Sequence, residues 1–519
     1  MSAKSRYEKL TTDRSSYTDR ARNCAKVTIP HLFPPDGSSG STKLDQPEQG
    51  IGARGVNNVA AKITQALFPP NAPFFKMEID ELVAKQMTQQ DGLKDQIDAA
   101  LGQYVRRVMA DFEKRALRAD LYEVCRQLVV AGNATLYVSE IGRCRVYRLD
   151  NYVCKRDPTG HLLEWIGIDK IAKAALPDDL RNKVPAQQNT NNQQSNGVQT
   201  APADEMVDLY THVLLREDGQ YTVYQEVLDQ VVKGSEGSFK ADELPFLVLR
   251  FNAVSGEDYG RSLVEDYLGD LITLENLSKN VREFTAIASR VIPLVSPNGL
   301  LKPSALTKAK NGEPILGNEG DLHFVQIERY NDFRVQKELI DKIEQRLAFA
   351  FLLNTAIQRN GERVTAEEIR YMAKELEDTL GGTYSVQAVD FQLPLANALI
   401  KQLESQKQLP QLPPQAANPK VVTGMDALGR GFDLSNLLQF VQLVSNTPAA
   451  SQIKWDSLAR RIGNSLNIEM DGLLKTPEEA AAEQQEAAQQ QMMASAVPNA
   501  VNQIGAIAQK SMDGKNTND

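Results

Sequence analysis

Four histidines, four cysteines and two tryptophans are spread over 519 residues, and each scarcity closes off a class of function. The histidines (His31, His161, His212, His323) lie far apart in the chain, which leaves imidazole-based catalysis little to work with. The cysteines (Cys24, Cys125, Cys144, Cys154) form no CxxC pair and no regular framework, as expected of reduced thiols in a cytosolic chain. Cys144, Cys154 and His161 make the one metal-like group, but their spacing matches no zinc module, so no metal site is expected. No apolar run approaches the roughly 20 residues that a membrane-crossing helix needs. The opening MSAKSRYEKL has no apolar core of the signal-peptide kind. A soluble protein of cytosolic origin, without a membrane partner, is the expectation.

A basic excess is missing as well. Lys and Arg number 58 against 67 Asp and Glu, a formal charge of −9, which argues against a protein that coats nucleic acid by releasing counterions. The Gly-x-x-x-x-Gly-Lys-[Ser/Thr] loop is absent, so the chain is not expected to be the motor of an ATP-driven process. Gly50-Ile51-Gly52-Ala53-Arg54-Gly55 satisfies GxGxxG, yet residues 44–49 are polar and include Pro47. The dinucleotide fingerprint needs a strand there, so the motif reads as a tight start to a helix. Acidic pairs such as Glu367-Glu368 and Glu478-Glu479 sit at helix starts, where the dipole favours them. No nucleophile–base pair can be identified. Neither enzymatic activity nor a cofactor is expected.

What is present is a globular composition, 42% hydrophobic and 24% charged, in a chain too long for one ordinary domain. Helical patterns run from Tyr7 to Val27 and from Gly52 to Phe68, the second with Val56, Val59, Ala60, Ile63 and Leu67 on one stripe. Another spans residues 91–130 in two pieces that bend near Ala119-Asp120. Strands follow: 135–139 and 144–149 as a hairpin around Gly142, then 162–168 as a third strand. A second hairpin, 207–215 with 221–227, turns at Asp218-Gly219. Between these groups, residues 185–203 are rich in Gln and Asn and read as a mobile surface insertion.

A long helical region opens at Gly260, with Leu263, Tyr267, Leu271, Leu274, Leu277, Val281 and Phe284 at helical spacing. Pro293, Pro297, Gly299 and Pro303 break it, and a small mixed segment leads to a second helix over 332–353. The pattern predicts two antiparallel helices enclosing a small distal domain. On the second helix Leu339, Ile340, Ile343, Leu347 and Ala350 form the packing stripe, with Arg334, Glu338, Asp341, Lys342 and Gln345 opposite. A further helix starts at Thr365 with a capping-box pattern and reaches towards Leu403, with an interruption at Gly381-Gly382. Prolines 410, 413, 414 and 419 stiffen a linker before a compact helical unit, and the tail from Pro477 is rich in Ala and Gln. Gln358, Arg359, Asn360, Gly361 and Arg363 lie in the short loop between two helices, either a polar connector or a basic loop placed to touch phosphate. The fold class expected is α+β, mainly α.

Several stretches also carry a resemblance. They are Tyr7-Glu8-Lys9-Leu10, Asp13-Arg14, Arg20-Ala21, Thr28-Ile29-Pro30 and Leu32-Phe33-Pro34, followed by Gly52-Ala53-Arg54-Gly55-Val56-Asn57-Asn58-Val59-Ala60 and Ala66-Leu67-Phe68-Pro69. Tyr259-Gly260-Arg261-Ser262 and Arg363-Val364-Thr365-Ala366-Glu367-Glu368-Ile369 each open a long helix. In this order the sequence resembles the portal (head-to-tail connector) proteins of short-tailed bacteriophages related to phage T7, to about residue 475.

The resemblance implies a portal fold assembled as a closed ring, usually of twelve subunits, at one capsid vertex of the virion. Double-stranded genomic DNA is packaged and ejected through it. Implied partners are the terminase, then the tail adaptor, the major capsid protein, and scaffolding and internal core proteins, with assembly in the host cytoplasm. The implied domains are wing (1–262), stem (263–288 and 332–353), clip (289–331), tunnel loop (354–364), and tunnel helix with the rest of the wing (365–409). The linker (410–420), a crown (421–475) and a barrel or disordered tail (476–519) complete the chain. The loop residues named above then become DNA-channel contacts and the charged face from Arg334 to Gln345 a candidate lumen. A metal-dependent nuclease, which needs converging carboxylates, and a capsid core or scaffold protein without a channel are the alternative readings.

Overall fold

A computed structural model describes residues 2–70, 72–78, 93–181, 206–288, 293–324, 330–353, 375, 378, 382–409, 420–423, 439–444 and 458–459. The chain divides into two compact units, Met1–Leu428 and Gly429–Asp519. In the second, residues 439–444 are helical. The insertion at 185–203, the loop at 354–364, the capping box at Thr365, the linker prolines and the Ala/Gln tail lie outside the described residues.

Helices come first. α1 (Ala3–Lys26), α2 (Ile51–Leu67), α3 (Leu93–Lys114) and α4 (Leu117–Ala131) surround a core that takes in Val56, Val59, Leu67, Phe68, Phe112 and Leu128. The break between α3 and α4 falls at Ala116, which is left-handed (φ 52°), rather than near Ala119-Asp120. Asp120 belongs instead to the first turn of α4, where a carboxylate suits the positive helix end. It accepts from Arg143 and from the Cys144 amide. Gly132 ends α4 in the left-handed region at φ 71°, and a Cβ there would lie 2.6 Å from the Arg261 carbonyl carbon. Only glycine fits.

Three strands form one sheet in the order β10 (Phe246–Arg250), β2 (Asn133–Tyr137), β3 (Arg145–Arg148), all antiparallel. The expected hairpin around Gly142 is thus present, with Leu136 opposite Val146. The strand expected to extend it, β5 (Leu162–Ala172), belongs elsewhere. It lies in a second sheet of order β4 (Tyr152–Arg156), β5, β6 (Met206–Leu215), β7 (Tyr221–Val227), β8 (Gln230–Val231), with β9 (Gly237–Phe239) on β7. β5 pairs with β6 across the Gln/Asn-rich stretch, Ile168 opposite Tyr210. Of the first expected β group only β5 joins the second hairpin, β2 and β3 staying in their own sheet, and the physical reason is burial: Trp165 and Ile166 of β5 are both fully buried, so both faces of this strand need cover.

α1 lies on that second sheet, with Tyr7 and Leu10 packed against Val153, Ile166 and Tyr210. The Glu226 carboxylate accepts from the Ala3 amide at 3.0 Å, which satisfies a free N–H at the helix start. Arg6 donates to Glu164 through Nε and Nη2 (2.9 and 2.7 Å), and His212 joins the same carboxylate at 2.9 Å. Burial opposes ionisation of Glu164, but the hydrogen bonds from His212 and Arg6 outweigh it and hold its carboxyl at about 2. A carboxyl depressed from the ordinary 4.5 stabilises the fold above that value. The contribution fades as pH falls towards 2. Glu164→Gln is expected to cost about 1–3 kcal/mol at neutral pH and to flatten the acid limb of the stability curve between pH 4.5 and 2. Urea unfolding at stepped pH checks this; parallel curves for the two proteins would refute it.

The helix expected from Gly260 is interrupted at Tyr267, giving α5 (Leu263–Asp266) and α6 (Leu268–Ala288). The Ser262 hydroxyl caps α5 by accepting from the Glu265 amide at 3.0 Å. Then come β11 (Pro293–Val295), α7 (Pro303–Lys308), β12 (Leu322–Phe324) and α8 (Tyr330–Ala350). Gly382, at φ 87°, precedes α9 (Thr383–Gln387), and a π turn over Ala388–Gln392 leads into α10 (Leu393–Ser405). Pro394 has no N–H to return to the Asp390 carbonyl, so regular α spacing cannot run through this point. Finally β13 (Lys420–Thr423) pairs antiparallel with β1 (Phe75–Glu78). Residues 421–423, assigned from sequence to the crown, are thus tied to the first unit.

Candidate functional site

α6 and α8 lie antiparallel. Arg346, near the end of α8, reaches Asp270, near the start of α6, at 2.8 Å. Leu271 and Leu274 of α6 and Ile343, Leu347 and Ala350 of α8 are buried between and beneath them. The small domain at their far end is stitched by β11 against β12, with Leu294 opposite His323. One side chain organises it: the Asp321 carboxylate accepts from the amides of Asn318 (3.0 Å), Leu300 (2.8 Å) and Leu301 (3.2 Å). Those amides hold its carboxyl below the usual range. Its tip is apolar and open, with Leu300 and Leu316 both largely exposed.

The packing stripe expected on α8 is confirmed at Ile343, Leu347 and Ala350, with Ile340 half-buried, and corrected at Leu339. One residue on from a buried column is a turn of about 100°, and Leu339 is 43% exposed. It belongs to a second column, Val335, Leu339, Lys342, Arg346 and Phe349, spaced four and three like a coiled-coil seam. Val335 is 63% and Phe349 73% exposed. Part of this column borders a groove of about 730 Å³ that Tyr267 also lines. Arg334, Glu338, Asp341, Lys342 and Gln345 are all exposed on α8, Arg334 and Glu338 as an ion pair at 3.9 Å. Gln358, Arg359, Asn360, Gly361 and Arg363 lie outside the described residues.

The root of that loop is described, and it is fastened. After Ala350 the chain turns through Leu352 at φ 55°, and the Leu353 amide donates back to Ala348 at 2.8 Å. The turn leaves carbonyls pointing away from α8, and α2 supplies their donors. Asn58 Nδ2 donates to Phe351 and Leu352 (2.9 and 3.0 Å), and Lys62 Nζ donates to Leu352 (3.2 Å). The same Lys62 pairs with Glu375 at 3.3 Å, so one α2 side chain holds the chain on both sides of residues 354–374. Gly55, a turn earlier, admits the Phe351 ring, since a Cβ there would sit 2.5 Å from Phe351 Cγ. Sequence reasoning missed Gly55, Asn58 and Lys62 as a set. Their signal was the i, i+3, i+7 spacing on one helix.

Nothing described here looks like a reaction centre. Among the described residues no three His, Cys, Asp or Glu side chains converge as a metal set. Burial pushes the thiols of Cys24 and Cys125 up to about 12 and those of Cys144 and Cys154 to about 11, which makes them inert. No described helix is long and apolar enough to cross a membrane.

The described residues thus join a long pair of helices to a small domain at one end and to a turn fastened by α2 at the other. The family described as bacteriophage head to tail connecting protein matches residues 1–474, and the chain belongs to that family. It is 43% identical over 487 residues to the portal protein of Escherichia phage T7, covering 92% of this chain and 89% of that one. To the portal protein of Enterobacteria phage T3 it is 42% identical over 523 residues, covering 98% and 95%. A looser likeness is to a chain in the neck of an empty GTA particle (13% identity, TM-score 0.38, covering 86% of this chain and 94% of that one).

Proposed function

We propose that this protein is the portal of a short-tailed phage, a closed ring at one vertex of the head through which double-stranded DNA enters and leaves. What carries the reading is identity to T7 and T3 portal proteins over nearly the whole chain. The acidic balance suits a conduit, because each phosphate held by a fixed cation resists sliding. In this reading the first 262 residues are the wing, 263–288 and 332–353 the stem, residues 289–331 the clip, 354–364 the tunnel loop, 365–409 the tunnel helix with the rest of the wing, and 421–475 the crown. The exposed face of α8 from Arg334 to Gln345 lines the lumen. The clip, with its open apolar tip, docks the terminase during packaging and the tail adaptor afterwards. The protein performs no catalysis; its work is mechanical. Negative-stain images of the purified protein are expected to contain rings with a central hole, and monomers at every concentration would overturn the reading.

The loop contributes through Arg359 and Arg363, whose guanidinium groups can grip phosphate in pairs of hydrogen bonds. The grip is weak per subunit and repeated around the ring. Arg359→Ala with Arg363→Ala is expected to leave rings intact and to raise DNA leakage from filled heads. The comparison is with the same change at Lys308 and Lys310 in the clip. Equal retention and ejection in all three would reduce the loop to a connector.

A further inference from the structure

We propose that a basic surface formed by α2, α4 and the turn Pro30–Leu32 binds the sugar–phosphate backbone of duplex DNA. It rests on the portal reading only for the presence of DNA, and it lies apart from the loop.

α2 contains Arg54 and Lys62 but no Asp or Glu in its 17 residues, in a chain with 67 acidic residues. Its exposed face meets that of α4 where the Tyr122 hydroxyl donates to Asn57 Oδ1 at 3.3 Å. The two helices run antiparallel, since Arg118 near the start of α4 donates to the Phe68 and Pro69 carbonyls just past the end of α2 (3.2 and 2.7 Å). One turn back from Asn57 is Arg54, and one turn on from Tyr122 is Arg126. In an antiparallel pair both steps lead the same way, so the two guanidinium groups share one end of the face. His31 closes that end. Its Nε2 lies 3.5 Å from Arg126 Nη2, and Gln127 holds the turn in place by donating to the Leu32 carbonyl at 3.0 Å.

Arg118 and Arg143 nearby are paired with Glu113 and Asp120. Among the described residues, neither Arg54 nor Arg126 has a carboxylate in ion-pairing range. Arg126 lies over the Tyr122 ring, 5.7 Å from its centroid, and its buried Nε has no acceptor. Of the acids on these elements, Asp120 is buried and paired with Arg143, and Glu123 is exposed three residues before Arg126 without an ion pair to it.

Two guanidinium groups, an imidazole, a phenol and a carboxamide, beside the single exposed acid Glu123, form the donor set that positions proteins on phosphates. A neighbouring subunit is the weaker fit, because contacts between copies need an apolar centre. None of the large exposed apolar side chains among the described residues falls on these three elements.

The test compares parent rings with Arg54→Gln/Arg126→Gln by fluorescence anisotropy on a short duplex over a salt series, with mass photometry in parallel. The double variant is expected to form rings, to bind roughly tenfold more weakly, and to lose about 0.9 from the log–log salt slope for each phosphate contact removed. Arg107→Gln/Arg216→Gln, which removes the same charge elsewhere, keeps the parental slope, and Arg54→Lys/Arg126→Lys recovers most of the affinity. Parental affinity and slope in the Gln variant would overturn the proposal, as would parent rings that ignore duplex DNA. Loss of rings in the Gln variant would also overturn it, giving the surface to a neighbouring copy. A parent that forms no rings counts against the portal reading instead, whatever its DNA affinity.

Discussion

Phe349→Asp is expected to leave the protein folded but unable to form rings. α8 carries two columns one residue out of phase, the first apolar throughout, the second apolar at Val335, Leu339 and Phe349 but charged at Lys342 and Arg346. The first is buried against α6; the second, with Val335, Leu339 and Phe349, has no cover. The outer face of α6 is correspondingly free of large charge: Gly269, Thr273, Asn276 and Asn280 follow the same four-three spacing and are exposed. At Gly269 a Cβ would meet nothing within 4 Å, which leaves a recess for a ring. Each copy thus offers one knob-bearing helix and one recessed helix, the pairing that a closed cyclic assembly requires. Covering a phenylalanine buries about 150–250 Å², worth about 4 kcal/mol per interface. A carboxylate there reverses the sign. Mass photometry should report monomer where the parent gives rings. The thermal midpoint of the monomer should hold within about 2 °C, because an exposed side chain adds little to the fold. Rings that persist would place the column on the outside of the assembly.

Gly55→Val is expected to cost about 3 kcal/mol, the upper range for forced overpacking. The branched side chain would enter the space held by the Phe351 ring, which is fully buried and packs 6.0 Å from the Tyr267 ring. Displacing Phe351 also pulls its carbonyl and that of Leu352 away from Asn58 and Lys62. The midpoint of urea unfolding should fall. Combined with Phe351→Ala, the same substitution should cost clearly less than the sum of the two, since the clash then has somewhere to go. Additive losses would mean that the two sites do not meet.

Much of this architecture is legible in the amino-acid order, and the exceptions have physical causes. Apolar spacing placed α2 and the paired helices α6 and α8 because each buries one continuous stripe against a neighbour. It failed by one position at Leu339, where a second seam adjoins the first and periodicity alone cannot tell an inner column from an outer one. Asp218-Gly219 marked its hairpin through turn chemistry that acts locally. β4 and β10 went unread because a strand of five residues shows too little alternation, and β5 was given the wrong neighbours because pairing depends on distant chain. The grip of α2 on Phe351 and Leu352 joins positions nearly 300 residues apart (58 and 352). Nothing in either stretch announces the other.

The pairing of β1 with β13 places Phe75 against Thr423, 348 positions later in the chain. A ribosome adding about 5–20 residues per second needs roughly 20–70 s to deliver the second strand after the first. For that interval β1 is an open edge, able to template the wrong strand of any nascent chain nearby. Closing it is among the last events of synthesis. The strand pair therefore acts as a late closure: a truncated chain ending before Lys420 leaves this edge of β1 unpaired and favours aggregation, while in the full-length chain β13 covers it.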